Sequence, residues 1–229
     1  MTKMKAPKSP ENRLAAAIDD LRSVRDQRPT LTLTTGKTAK SSETIQRILA
    51  ASMRVFITSG HEGLSLRKVA EEAGMAVGNL NYHFPTKKSL LNATLVERLA
   101  EYVDDHLDEI GDEPAAPMEI LLSIVTYYAR NAQTSHRFFY QMWGYAGSSD
   151  EARQLVRSLY QPIGRFIYYL VQAANPDLDD INVRRVVLQI FSLEEGYKLF
   201  IGLGPEDDRA LKSIEPDIRA LTEKLVMSA

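Results

Sequence analysis

The sequence predicts an all-α protein, and three observations carry that prediction. From about residue 42 onward the apolar residues recur three and four apart, the period of a helix with one buried face. Gly and Pro punctuate those runs where helices would end. Only the short Thr30-Leu31-Thr32-Leu33-Thr34 alternates as a strand would.

Each element follows in order. The first 40 residues are basic, with 9 Lys+Arg against 4 Asp+Glu. Their one stripe, Leu14, Ala17, Ile18, Leu21 and Val24, suits a lone amphipathic helix. So thin a stripe offers little burial against the entropy of ordering, and residues 1–40 are expected to be a flexible arm. Ser42 is placed to cap a helix carrying Ile45, Ile48, Leu49, Ser52 and Phe56, which ends at Ser59-Gly60 before His61-Glu62-Gly63 turns the chain. Ser65 caps a second helix, Leu66 to Ala73, stopped by Gly74. A third, two turns long, runs from near Ala76 to Phe84 and ends at Pro85.

The next helix runs from Thr86 to about Ile110, a rod of about 35 Å, before Gly111 and a Pro-containing break at 113–117. Further helices are expected over Met118–Ala132, Ser135–Ala146, Asp150–Ala174, Ile181–Gly202 and Asp217–Met227. The chain thus divides into an arm (1–40), a three-helix segment (41–91) and a helical remainder (92–229).

Composition narrows the function. The 229 residues are 44% apolar and 25% charged, ordinary for a soluble globular protein. With no Cys there is no disulfide, thiolate zinc site, iron–sulfur cluster or thiol nucleophile, and a reducing cytoplasm is the expected home. His61, His83, His106 and His136 are scattered, so neither metal nor cofactor is expected. No apolar run is long enough for a membrane span. No G-x-S-x-G, P-loop or G-x-G-x-x-G occurs, and Asp104, Asp105, Asp108 and Glu109 read as an exposed acidic helix end; no catalytic residue is assigned.

Net charge is −2, yet residues 1–91 carry 15 Lys+Arg against 8 Asp+Glu, and residues 92–229 carry 13 against 22. A basic first part suits contact with a polyanion. Helix starts favour acids, because their free N–H groups are partly positive. Here Ser65-Leu66-Arg67-Lys68 and Thr86-Lys87-Lys88 place cations there instead, an arrangement favoured when a phosphate docks at each start. Between them, Leu80 and Phe84 face inward with Ala76. Gly78, Asn79, Asn81 and Tyr82 form a hydrogen-bonding face with His83 at its border. Such a helix suits a major groove, where Asn pairs bidentately with adenine. Gly78 either lets the backbone approach DNA or marks a late helix start.

The run Leu64-Ser65-Leu66-Arg67-Lys68-Val69-Ala70-Glu71-Glu72-Ala73-Gly74-Met75-Ala76-Val77-Gly78-Asn79-Leu80-Asn81-Tyr82-His83-Phe84-Pro85-Thr86-Lys87-Lys88-Ser89-Leu90-Leu91 closely resembles the DNA-binding signature of the tetracycline-repressor (TetR) family of bacterial transcriptional regulators. The resemblance implies that Ser65 and Lys87 hold phosphates, that Arg67, beside Lys68, reaches a base edge or phosphate, and that Val77, Gly78, Asn79, Asn81, Tyr82 and His83 line the groove. The Tyr that usually precedes the aromatic-His-Phe triplet is Asn81 here, which leaves that phenol's phosphate contact to Tyr82 or Asn81. Lys37 and Lys40 either follow a minor groove or belong to a solvated tail.

The same resemblance implies an N-terminal helix-turn-helix domain over 41–91 and a ligand-binding and dimerisation domain over 92–229, linked by the long helix. The later aromatics are mostly core; Tyr127, His136, Phe139, Trp143, Arg165 and Tyr169 are candidates for lining an effector cavity. Glu194 is a further candidate, either buried and paired, for instance with Arg165 or a cationic ligand, or exposed at the edge of the stripe that includes Ile190. Val186, Ile190, Leu193, Tyr197 and Phe200, with Leu221 and Leu225, are the expected dimer faces. The expected partners are double-stranded DNA carrying a near-palindromic operator, a second copy of the chain and a small-molecule effector, and the expected role is that of a repressor. The alternatives are a DNA-binding protein with a protein partner or a nucleoid-organising role, and a helical enzyme.

Overall fold

The computed structural model describes residues 9–33, 38–110, 115–205, 209–210 and 214–228. Among these residues every element is helical: α1 (Pro10–Asp26), α2 (Pro29–Thr32), α3 (Ala39–Gly63), α4 (Leu66–Glu72), α5 (Val77–His83), α6 (Lys87–Ile110), α7 (Pro117–Ser148), α8 (Asp150–Ala174), α9 (Asp180–Leu203) and α10 (Ile214–Ser228). The strand expected at Thr30–Thr34 is corrected, since Pro29–Thr32 is a helical turn and Thr34 lies outside the described residues. Lys37 and the break at Gly111 to Pro114 also lie outside them. None of the described helices is long and apolar enough to cross a membrane.

The chain forms two compact units. One comprises Met1–Arg22, Asp105–His136 and Tyr160–Ala229, and the other Ser23–Asp104 and Arg137–Leu159.

In the first unit, the N-terminal stripe is ordered after all. Leu14, Ala17 and Leu21 of α1 are buried, Arg13 donates to Gln172 Oε1 at 3.3 Å and Arg165 to Asp20 Oδ2 at 2.5 Å, so long-range pairing supplies what the stripe alone lacks. The core adds Val125, Tyr128, Phe166, Ile167, Leu170 and Val171. On α9 the buried stripe is Val183, Val186, Ile190, Glu194, Lys198 and Ile201, at helical spacing. The stripe corrects one expectation and bears on two others. Val186 and Ile190 are wholly buried in their own chain, so they do not face outward. Glu194 lies on that stripe, with its carboxylate on Lys198 rather than Arg165. Leu193, Tyr197 and Leu225 are half-buried, while Phe200 and Leu221 are exposed.

In the second unit, α3 packs on α4 and α4 on α5. The cap of α3 is Thr38, four residues before the expected Ser42, and its side chain accepts from the Ser41 N–H. Gly60 interrupts α3 at φ 66°, a left-handed value that glycine adopts without a Cβ clash. The two helices expected over Met118–Ala132 and Ser135–Ala146 are a single α7, because Asn131–Thr134 contains neither Gly nor Pro and continues the helix.

Candidate nucleic-acid interface

The core beneath the interface is aliphatic and aromatic. Ile45, Ile48, Leu49 and Phe56 of α3, Val69 and Ala70 of α4, Leu80 of α5, Phe84, and Leu90, Leu91 and Leu95 of α6 are all buried. One buried polar link joins α3 to α6. Thr94 and Ser52 hydroxyls lie 2.7 Å apart, and Thr94 also donates to the Leu90 carbonyl at 2.8 Å. Thr94 has one proton, so the Ser52 hydroxyl supplies the hydrogen between the pair.

Each short helix is bounded by its own local chemistry. Ser65 caps α4, its side chain accepting from the Lys68 N–H at 3.3 Å. The end of α4 is a Schellman turn: the Gly74 N–H donates to Glu71 O at 3.0 Å and the Met75 N–H to Ala70 O at 2.9 Å, with Gly74 at φ 63°. Arg54 of α3 holds Glu72 at 2.6 Å beside that turn. At the start of α6, Thr86 and Ser89 cap reciprocally. Thr86 Oγ1 accepts from the Ser89 N–H at 3.0 Å, and Ser89 Oγ accepts from the Thr86 N–H at 3.2 Å.

α5 divides into two faces. Leu80 is buried, with Phe84 just beyond, whereas Val77, Gly78, Asn79, Asn81 and Tyr82 are exposed, Tyr82 to 82%. Ala76, expected inward, is the exposed cap residue. His83 is half-buried, its ring 5.1 Å from that of Tyr82 in an edge-on arrangement. Gly78 sits in the first turn of α5, and a Cβ there would meet nothing within 4 Å. No neighbour inside the chain requires glycine at that position.

Cations stand at the starts of the helices before and after α5. Arg67 and Lys68 are exposed in the first turn of α4. Lys87, exposed in the first turn of α6, donates to the Glu62 carbonyl at 3.3 Å. Lys88 pairs with Glu151, whose carboxylate raises the lysine's pKa through a hydrogen bond and its charge. Acids are absent from the first turns of α3, α4, α5 and α6, while α7, α8, α9 and α10 each carry one or two there. α2 lacks an acid there as well, so what sets the starts of α4 and α6 apart is their exposed cations, Arg67, Lys68 and Lys87, an arrangement suited to an external anion.

The effector candidates fall in both units. Phe139 and Trp143 belong to the second unit, where Phe139 packs against Tyr102 and Phe138. The other five belong to the first. There Tyr127 bonds Asp105 and Asn131, His136 Nδ1 lies 3.1 Å from Gln133 O, Arg165 holds Asp20 and Tyr169 packs on Tyr168. Sequence reasoning passed over the groups that surround Glu194. Lys198 lies between Glu194 and Glu195 with its Nζ 5.7 Å from the Tyr128 ring centroid, Tyr160 donates to Glu195 at 2.6 Å, and His106 Nε2 lies 2.7 Å from the Tyr128 hydroxyl. The four-residue spacing of Glu194 and Lys198 was the available signal. Burial pushes the Tyr128 hydroxyl's pKa well up, and the charges of Glu194 and Glu195 add to it.

A short capped helix, a glycine turn and a second short helix with an exposed polar face make a helix-turn-helix module. Residues 48–94, which hold this module, match the model of the tetR family of bacterial regulatory proteins. It is 27% identical over 135 residues to the HTH-type transcriptional regulator SrpR of Pseudomonas putida, covering 58% of this chain and 61% of that one. It is 35% identical over 80 residues to the HTH-type transcriptional regulator PksA of Bacillus subtilis, covering 35% and 38%. The alignments thus span about two fifths to three fifths of these relatives. The fold resembles that of the transcriptional regulator FadR from Bacillus subtilis in complex with stearoyl-CoA, with a TM-score of 0.65 at 16% identity over 80% of this chain and 98% of that one.

Proposed function

We propose that this protein is a sequence-specific DNA-binding transcriptional regulator, a repressor that acts as a homodimer on a near-palindromic operator. The observation that carries the reading is α5, a two-turn helix with a buried Leu80 and an exposed face of Gly78, Asn79, Asn81 and Tyr82, preceded and followed in sequence by helices whose first turns expose Arg67, Lys68 and Lys87. Asn79 and Asn81 read base edges, while Ser65 and Lys87 hold backbone phosphates.

The dimer reading rests on the outward side of α9 and α10. Ile181, Leu188, Phe200 and Leu203 on α9 and Leu221 and Met227 on α10 are 43% to 68% exposed. Gly196 falls within the same stretch of α9, and a Cβ there would meet nothing within 4 Å. Such an apolar surface suits a second copy of the chain, and two copies present two recognition helices to two half-sites. Control by a small molecule follows from the resemblance to regulators such as FadR, which was solved with stearoyl-CoA.

Selection of bound sequences from a random duplex library tests the reading. A recovered palindrome, bound with steep salt dependence, supports it; equal affinity for every duplex overturns it.

A further inference from the structure

A cluster outside the matched residues 48–94 joins the segment before α3 to the middle of α6. Arg28 Nε donates to Glu97 Oε1 at 3.1 Å and its Nη1 to Asp104 Oδ2 at 2.7 Å. Thr30 donates to the same Glu97 carboxylate twice, through its backbone N–H at 2.8 Å and its hydroxyl at 2.7 Å. Glu97 is 7% exposed, and both of its oxygens accept. These charge-assisted bonds are less screened by solvent than the surface pairs elsewhere on the chain.

We infer that Arg28 and Thr30 form a clamp on α6 that positions the DNA-reading helices, with Glu97 and Asp104 as its anchor points. The inference rests on the DNA-binding reading above. Glu97 and Asp104 are seven residues apart, about two turns on one side of α6, so one guanidinium spans that length of the helix. Three residues before Glu97, Thr94 ties α6 to Ser52 of α3, and the first turn of α6 carries Lys87. The clamp therefore holds the helix whose start contacts the phosphate and whose middle fastens α3. Arg28, Thr30, Glu97 and Asp104 are positioning residues and touch no DNA.

The test compares Arg28→Ala, Glu97→Gln and Arg25→Ala in the full chain, using the duplex recovered by selection and amide hydrogen exchange of α6. Arg25 is the control: it lies on the same segment, its guanidinium pairs with the neighbouring Asp26 in an exposed position, and its loss changes net charge as much as the loss of Arg28. Arg28→Ala and Glu97→Gln are expected to weaken binding about tenfold with an unchanged salt slope, and to speed exchange over residues 97–104 about tenfold. Arg25→Ala is expected to stay within twofold. Equal losses for Arg25→Ala and Arg28→Ala with a flattened slope would show that the segment acts through its charge, overturning the clamp. Faster exchange without weaker binding would reduce the cluster to a stabilising role, which also overturns it. Should the wild type prefer no sequence, the functional reading fails, while slow exchange over 97–104 that survives Arg28→Ala would separately dispose of the clamp.

Discussion

Lys198 and Glu194 lie one turn apart on α9 and meet as an ion pair, with side chains only 1% and 3% exposed. Glu195 is a second carboxylate near the same ammonium, at 3.6 Å. Burying these charges is costly, and the mutual attraction offsets the cost only while both partners are present. Lys198→Met is therefore expected to destabilise the protein by about 3–5 kcal/mol, whereas the paired Glu194→Leu/Lys198→Met replacement should lose much less. Denaturant unfolding of the wild type and the single and double variants checks this, and a double variant no more stable than the single would refute it.

The DNA face yields a division of labour. Lys87→Ala removes a cation from the start of α6, so binding to every sequence should weaken and the salt slope should fall by about one phosphate contact. Asn79→Ala removes a hydrogen-bonding group from the exposed face of α5, and its loss should relax base preference while leaving the slope unchanged. Titrations of selected and random duplexes at several salt concentrations separate the two. Equal losses on both duplexes for both variants would contradict the assignment.

What could be read from the sequence was local. Ser65, Gly74 and Pro85 bound helices through chemistry within a few residues, and the Leu80 to Phe84 spacing alone separates the two faces of α5. The rest depended on which of several apolar stripes turned inward. Apolar residues surround much of α9, so Val186 and Ile190 looked as suitable for an outer face as Leu188 and Leu203, and only the fold separates them. Arg28 and Glu97 are 69 residues apart, and nothing local connects them. The N-terminal helix looked too thin to order because its partners, Gln172 and Arg165, lie far along the chain.

Gly74 offers a clean measure of backbone strain. Its φ is 63°, and a Cβ at this position would meet nothing within 4 Å, so Gly74→Ala introduces conformational strain without a steric clash. The expected loss of stability is about 1–2 kcal/mol, the cost of a left-handed conformation for an L side chain. Thermal unfolding checks the value, and a variant as stable as the wild type would mean that the turn relaxes to another conformation.

Tyr168 and Asp180 give a pH signature. The Tyr168 hydroxyl donates to Asp180 Oδ1 at 2.7 Å. Burial and that bond push the phenol's pKa up to about 12, while the same bond is the main cause of a lowered Asp180 pKa. For a raised pKa the stabilisation is complete below the unfolded value near 10 and is lost as pH rises through about 12. For the lowered Asp180 the stabilisation is present above 3.8 and disappears as pH falls through the folded value. The stability gap between wild type and Tyr168→Phe should thus be flat across neutral pH and close at both extremes. A gap that changes between pH 6 and 8 would assign the effect to another group.

The outward apolar residues of α9 and α10 set the final expectation. Leu188 and Phe200 are each 68% exposed, and neither contributes to the core of its own chain. Leu188→Glu and Phe200→Glu should therefore leave the fold intact, because water already reaches both positions. In an assembly of two chains the same substitutions would bury a carboxylate against apolar surface, and self-association should weaken by at least about 100-fold. Operator affinity should fall with it, since a monomer presents a single recognition helix to a two-part site. Sedimentation velocity alongside operator titration tests the coupling. Variants that remain dimeric would place the contact elsewhere, and variants that become monomeric yet bind the full operator with wild-type affinity would remove the dimer from the mechanism.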